Sequence, residues 1–361
     1  MKPIGSVKKI YLKEIMTFEE AGKFEADFIP FYFFQEMAKK HKLKDWFIDE
    51  DCDGYIRKNG KDHLIFIFRK KLLPEELAIR AIDNLKDCAK RRKNNRGAYA
   101  GVLDRDRMPK YIGEYVHPSK FRTKYYSATS GKYTPHTVSN LSPSNIFGYF
   151  DRIDRNLKGV GAKLRKAAFL RDYPEKWNNA LPYFQFLSNC YRDFFKDQPK
   201  PNHYSIQEND AKKIPEAMVK DTVFSTITCN YSSLSGTHLD KANKEGGVAV
   251  LNVIEDPYNL NTYDGSYLHC VQFGLCFNVR HCDVLIIDNR NVCHGNTEYI
   301  PKKTELFPID SRKPKRMPTD IEVKNDWHYN RFSSVCYLRD SIIKFANKKR
   351  KLADIDTLGI S

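Results

Sequence analysis

His238 and Asp240, two apart in the run Thr-His-Leu-Asp, constrain this chain more than any other feature. On an extended strand, positions i and i+2 point to the same side, so an imidazole and a carboxylate face one point in space. A second imidazole follows at His294 within His-Gly-Asn, and an arginine at Arg331 within Arg-Phe-Ser. Two imidazoles and one carboxylate cover one face of an octahedral Fe(II) and leave the other face open. Such a set needs strands around a cavity. The flanks supply them: Asp221–Asn230 (DTVFSTITCN), Phe277–Asp288 (FNVRHCDVLIID) and Arg331–Arg339 (RFSSVCYLR) carry the β-branched and aromatic content of strands. His294 is expected in a short polar turn after the second of them. Ligands at strand ends around a sheet-lined cavity predict an α+β protein: a double-stranded β-helix core (jelly-roll/cupin-like) flanked by helices.

The pattern outlines a non-haem iron oxygenase that uses 2-oxoglutarate. The distal carboxylate of that co-substrate calls for a planar, bidentate cation on a late strand. Arg331 fits, with the hydroxyl of Ser333 on the same face. His269 and His281 compete with His294 as distal ligand. His269 lies in a strand-like piece and reads as an ordinary sheet histidine, while His281 precedes a tight turn at Cys282–Asp283. His294 is favoured because an arginine-bearing strand follows it.

The net charge of +16, from 61 Lys and Arg against 45 Asp and Glu, favours a polyanionic partner, and nucleic acid is the commonest. Nine scattered cysteines without a CxxC pair read as buried thiols of a reducing, intracellular protein. They exclude a disulfide framework or a zinc ribbon. No signal peptide is read, and no apolar run approaches the ~20 residues of a membrane helix. No feature calls for an obligate protein partner.

Along the chain, residues 1–70 read as an N-terminal α/β extension, 71–345 as the catalytic domain and 346–361 as a flexible basic tail. A helix is expected near Pro30–Lys42 with Pro30 at its first position, and an amphipathic one over Pro74–Arg92. The latter runs into the basic patch Lys90–Arg96, either a solvated helix end or a phosphate contact. Ser142–Pro143 is expected to start a helix. Pro174–Phe195 is helical and dense in aromatics, which should pack on the back of a sheet. A polar insertion at about 301–328 carries Lys302, Lys303, Arg312, Lys313, Lys315 and Arg316. It reads as a contact to a DNA backbone, against a merely solvated loop. The tail sequence KKRK at Lys348–Lys351 is either a nuclear address or a basic terminus.

With these residues in view, the chain resembles the TET/JBP family of DNA-base dioxygenases, particularly its compact viral, phage and protist-like branch. Arg96–Met108 (RGAYAGVLDRDRM) is similar to a Gly-rich segment that follows a helix there. Asn145–Asp151 (NIFGYFD) resembles the start of a central helix, and Tyr204–Gln207 (YSIQ) a tyrosine-to-glutamine segment. Thr222–Asp240, Cys276–Asn296 and Arg331–Arg339 follow the family core in order, so the resemblance covers roughly residues 70–340. It implies that His238, Asp240 and His294 hold Fe(II), and that Arg331 with Ser333 holds 2-oxoglutarate. By the same resemblance O2 would be the oxidant, succinate and CO2 would be released, and the methyl group of 5-methylcytosine or thymine would gain a hydroxyl. It further implies Asn243 and Arg96 as substrate contacts and double-stranded DNA as partner, its target base flipped into the pocket. The protein would act wherever the DNA is, in a nucleus or in the cytoplasm of a phage or viral host.

The chain departs from the family at two positions. Asn243 stands where many relatives carry a base-reading carboxylate, and an amide suits thymine and cytosine edges alike. Cys282 stands where relatives often have glycine, and is expected to be tolerated. The rival readings are another 2-oxoglutarate oxygenase, AlkB-like or a protein hydroxylase, and a catalytically dead jelly-roll that only binds nucleic acid.

Overall fold

The computed structural model describes residues 7–25, 29–86, 144–152, 163–231, 235–255, 260, 263–297, 299–301 and 331–344, with short strand pieces at 92–93, 111–112, 125–127, 132–134 and 141–142. Thirteen strands form its two principal sheets. They are β1 (Lys8–Tyr11), β2 (Phe47–Ile48), β3 (Cys52–Lys58), β4 (Lys61–Arg69), β5 (Ser144–Arg152), β6 (Lys163–Lys166), β7 (Thr226–Tyr231), β8 (Ala249–Glu255), β9 (Leu268–Cys270), β10 (Leu275–Phe277), β11 (Val284–Ile287), β12 (His294–Asn296) and β13 (Arg331–Tyr337). Nine make a large sheet in the order β1-β3-β4-β11-β8-β13-β7-β5-β6; β12-β9-β10-β2 make a smaller one. Four helices matter here: α1 (Phe31–His41), α2 (Glu75–Leu85), α3 (Pro174–Phe195) and α4 (His203–Ala211).

Period-two alternation sorts the apolar side chains of the large sheet into two cores. Val250 and Ile254 of β8 join Val284, Ile286, Ile227 and Cys336 in a core shared with α2 and α3. Leu251 and Val253, one residue out of phase, join Leu285 and Ile287 in a core shared with Leu268, Leu275 and Phe277 of the small sheet. The layers are thus helices, large sheet, small sheet. The α3 aromatics Trp177, Tyr183, Phe184, Tyr191 and Phe195 do pack behind the sheet. Tyr183 also reaches into it, its hydroxyl lying 2.8 Å from Asn252 Oδ1 and 2.5 Å from Ser334 Oγ.

The stretch read as an N-terminal extension contributes to both sheets. β4 pairs antiparallel with β11 in the large sheet. β2 pairs parallel with β10 in the small one.

Several expectations are corrected. Ser142–Pro143 starts no helix: Leu141–Ser142 and Ser144–Arg152 are strands, and β5 pairs with β7 from Ser144–Asn230 to Gly148–Thr226. The aromatic, β-branched run Ile146-Phe147-Gly148-Tyr149 suits a pleat better than a helix, and Phe147 is buried against Phe169 and Trp177. The helix expected over Pro74–Arg92 spans Glu75–Leu85, and Arg92 lies instead in a two-residue strand paired with Leu141–Ser142. Pro30 is the N-cap of α1 rather than its first residue. Phe277–Asp288 is two strands, β10 and β11, split by a turn at Asn278–Asp283. In that turn Cys282 has φ +65°, the left-handed region where glycine is cheapest. Its N–H donates to the Val253 carbonyl at 2.9 Å and its carbonyl accepts from Leu73 at 3.0 Å.

Candidate iron and co-substrate site

His238 and His294 meet as an isolated antiparallel bridge. Each donates its backbone N–H to the other's carbonyl, at 2.8 and 3.0 Å, and the rings lie 4.5 Å apart. His294 therefore belongs to strand β12, not to the polar turn expected of it. His238 and Asp240 lie outside any regular strand, but the Asp240 N–H donates to the Asn289 carbonyl at 3.0 Å, so 238–240 runs beside 289–294. Gly295 permits this approach. A Cβ there would stand 2.9 Å from both Thr237 N and His269 Nε2.

The donor set fits a divalent cation. Nδ1 of His238 lies 2.7 Å from the Gly236 carbonyl and Nδ1 of His294 lies 2.9 Å from the Val292 carbonyl. A carbonyl only accepts, so both Nδ1 atoms carry the proton and both Nε2 atoms keep the lone pair. His238 Nε2 is 3.5 Å from Asp240 Oδ1, and His294 Nε2 is 3.7 Å from Oδ2. One ligand atom from each residue lies within 4.8 Å of the others. An octahedral ion with bonds of ~2.1 Å holds adjacent ligands ~3 Å apart, so a small closure suffices.

These three residues line a cavity whose wall also includes Arg331 and Ser333, same-face neighbours on β13. Arg331 is 3% exposed, and its Nε has no hydrogen-bond partner among the described residues. A buried guanidinium donor without an acceptor is costly, which is the signature of a ligand-binding group. Glu255, 2% exposed, stands directly opposite Arg331 in the β8–β13 ladder. Sequence reasoning did not find Thr228, Asn230, Leu251, Leu268, Asn296 and Tyr337, which also line the wall. They lie on β7, β8, β9, β12 and β13, and only sheet pairing brings them together.

Asn243, expected as a contact to the base, sits beside Asn289. It is 3% exposed, lies outside the cavity lining, and its Nδ2 donates to Asn289 Oδ1. Arg96, most of the basic insertion and the tail lie outside the described residues.

The competing histidines are elsewhere. His269 is fully buried on β9, its ring stacked on Phe34 at 4.9 Å, and burial lowers its pKa to about 3. His281, Cys282 and Glu75 form a second cluster of donor atoms. There His281 Nδ1 accepts the Glu255 N–H at 3.0 Å, so Nε2 bears the proton and donates to Glu75 at 2.8 Å. No lone pair remains on that ring for a metal.

The family model described as the oxygenase domain of the 2OGFeDO superfamily, Tet_JBP, matches residues 145–340, more than half of the chain. The chain belongs to the Tet_JBP family. The superfamily works with Fe(II), 2-oxoglutarate and O2. Among similar proteins, Thymine dioxygenase JBP1-B of Trypanosoma cruzi is 26% identical over 279 residues, 74% of this chain and 28% of that protein. Thymine dioxygenase JBP1 of Leishmania infantum is 29% identical over 213 residues, 57% of this chain and 23% of that protein. The Tet_JBP chain thus spans less than a third of the length of these relatives. A solved structure of NgTET1 in complex with 5mC DNA aligns over 90% of this chain and 92% of that one, at 9% identity and a TM-score of 0.36.

Proposed function

We propose that this protein is an Fe(II)- and 2-oxoglutarate-dependent dioxygenase that hydroxylates the methyl group of a DNA base, thymine ahead of 5-methylcytosine. The observation that carries the reading is the sharing of one cavity wall by His238, Asp240 and His294 with Ser333 and with Arg331, whose buried Nε has no hydrogen-bond partner among the described residues. Membership of Tet_JBP narrows the chemistry, and the names of its relatives favour thymine. On this reading the two facing sheets are a double-stranded β-helix, and the strands from residues 8–69 are its outer part.

Each residue then has a task. The Nε2 atoms of His238 and His294 and a carboxylate oxygen of Asp240 hold the metal. The guanidinium of Arg331 pairs with the distal carboxylate of 2-oxoglutarate, and the Ser333 hydroxyl donates to the same group. Bound iron with 2-oxoglutarate and O2 supplies the oxidising power that replaces a methyl C–H by C–OH, with succinate and CO2 released. Leu251, Leu268 and Val335 keep one side of the cavity apolar and exclude water. A base inside a duplex reaches this depth only by flipping, and the +16 charge supplies the attraction to phosphate.

Incubation with Fe(II), 2-oxoglutarate, ascorbate and duplex DNA containing thymine and 5-methylcytosine, followed by nucleoside mass spectrometry, tests the proposal. 5-Hydroxymethyluracil is expected, and none from His238→Ala. Oxidised 5-methylcytosine alone would reverse the base preference. Consumption of 2-oxoglutarate without a modified base would overturn the substrate assignment.

A further inference from the structure

Asp240 is the one anionic member of the proposed ligand set, and its side chain is 30% exposed. A carboxylate so placed is free to rotate between binding modes unless something holds its second oxygen. Asn289 does so. Its Nδ2 donates to Asp240 Oδ2 at 2.5 Å, and its own Oδ1 accepts from Asn243 Nδ2. Polarity fixes the order of this chain. An ionised carboxylate only accepts, so Asn289 turns its NH2 to Asp240; its carbonyl then faces Asn243, which turns its NH2 to meet it.

The backbone makes the chain rigid. Arg290 Nη1 donates to the carbonyls of Lys241, at 2.9 Å, and Asn243. The Asn243 N–H closes a turn onto the Asp240 carbonyl at 3.0 Å. Asn289 and Asn243 are 2% and 3% exposed, so water does not compete for either amide.

We infer that Asn289 is a positioning residue for the proposed metal ligand Asp240, and that Asn243 fixes the orientation of the Asn289 amide. The inference rests on the proposed iron site. Asn289 holds Oδ2, so Oδ1, which faces His238 Nε2, is presented to the ion in one rotamer. Groups that orient a ligand in this way typically govern metal affinity by 10–100-fold.

Two isosteric substitutions test this through metal affinity, measured without DNA or turnover. Co(II) is titrated into the 361-residue chain, and its visible absorption reports both affinity and coordination geometry. Asn289→Asp sets an acceptor against Asp240 and should weaken Co(II) binding about 10–100-fold while altering the spectrum. Asn243→Asp leaves Asn289 with an acceptor in front of its carbonyl. The Asn289 amide then flips and turns its donor away from Asp240, so a comparable weakening is expected. Asn289→Ser, which keeps a short donor, should recover part of the affinity. Wild-type affinity in Asn289→Asp overturns the inference. Wild-type affinity in Asn243→Asp overturns the role given to Asn243. If the wild-type protein and His238→Ala bind Co(II) equally, the iron site itself fails, a result distinct from either.

Discussion

His269 allows a quantitative test of which histidines form the site. It lies on β9 directly opposite Gly295, one residue from the proposed ligand His294, yet it faces Phe34 and neither ring nitrogen has a hydrogen-bond partner among the described residues. Burial lowers its pKa from 6.5 to about 3, and a positive charge on either neighbouring imidazole, His294 or His238, acts in the same direction. A histidine whose folded pKa is depressed resists protonation in the native state while the unfolded chain takes up the proton. Its stabilising effect is therefore present above pH 6.5 and is lost as the pH falls from there toward 3. At pH 5 the loss is 1.36 kcal/mol times the 1.5 units below the unfolded pKa, or about 2 kcal/mol. His269→Leu removes that pH dependence together with two buried nitrogens that have no partner among the described residues. Urea unfolding of metal-free protein, followed by tryptophan fluorescence at pH 7.5 and pH 5, should show wild type losing about 2 kcal/mol more than the variant. At pH 7.5 the variant should be no less stable than wild type, since it loses no hydrogen bond. Equal pH dependence in the two proteins would refute the reasoning. Loss of Co(II) binding in a folded His269→Leu would move the distal ligand from His294 to His269.

Two further substitutions probe the cavity. Arg331→Lys keeps the charge but loses the guanidinium fork, so the apparent KM for 2-oxoglutarate should rise about 10–100-fold with Co(II) affinity unchanged; steady-state kinetics and titration check both. Gly295→Ala drives a methyl against the Thr237 backbone and the His269 ring, forcing His238 and His294 apart. Co(II) binding should fall at least tenfold while far-ultraviolet circular dichroism stays unchanged, and retained affinity would show that the bridge tolerates the methyl.

Much of the site was legible because its chemistry is local. The i, i+2 spacing of His238 and Asp240, the strand composition of Arg331–Tyr337, and the alternation that puts Arg331 and Ser333 on one face are properties of a few consecutive residues. The α3 boundaries follow from Pro174 at the helix start and a continuous aromatic stripe. The misread elements are those where local signals are ambiguous. Asn145–Asp151 is short, aromatic and β-branched, so resemblance to a helix start outweighed its strand character; pairing with β7 decides it. Asn289 and Arg290 sit in the polar run Asp288-Asn289-Arg290-Asn291, which looks like any solvated turn. Their role exists only because that turn meets Leu239–Asn243 across the fold. What the sequence alone determined is the His-x-Asp spacing of 238 and 240, and an arginine and a serine two apart on one strand. The tertiary structure decided which histidine joins them, which residues wall the cavity and which amide holds Asp240. Those choices depend on pairings between segments far apart in the chain, and such contacts leave no periodic trace in the sequence.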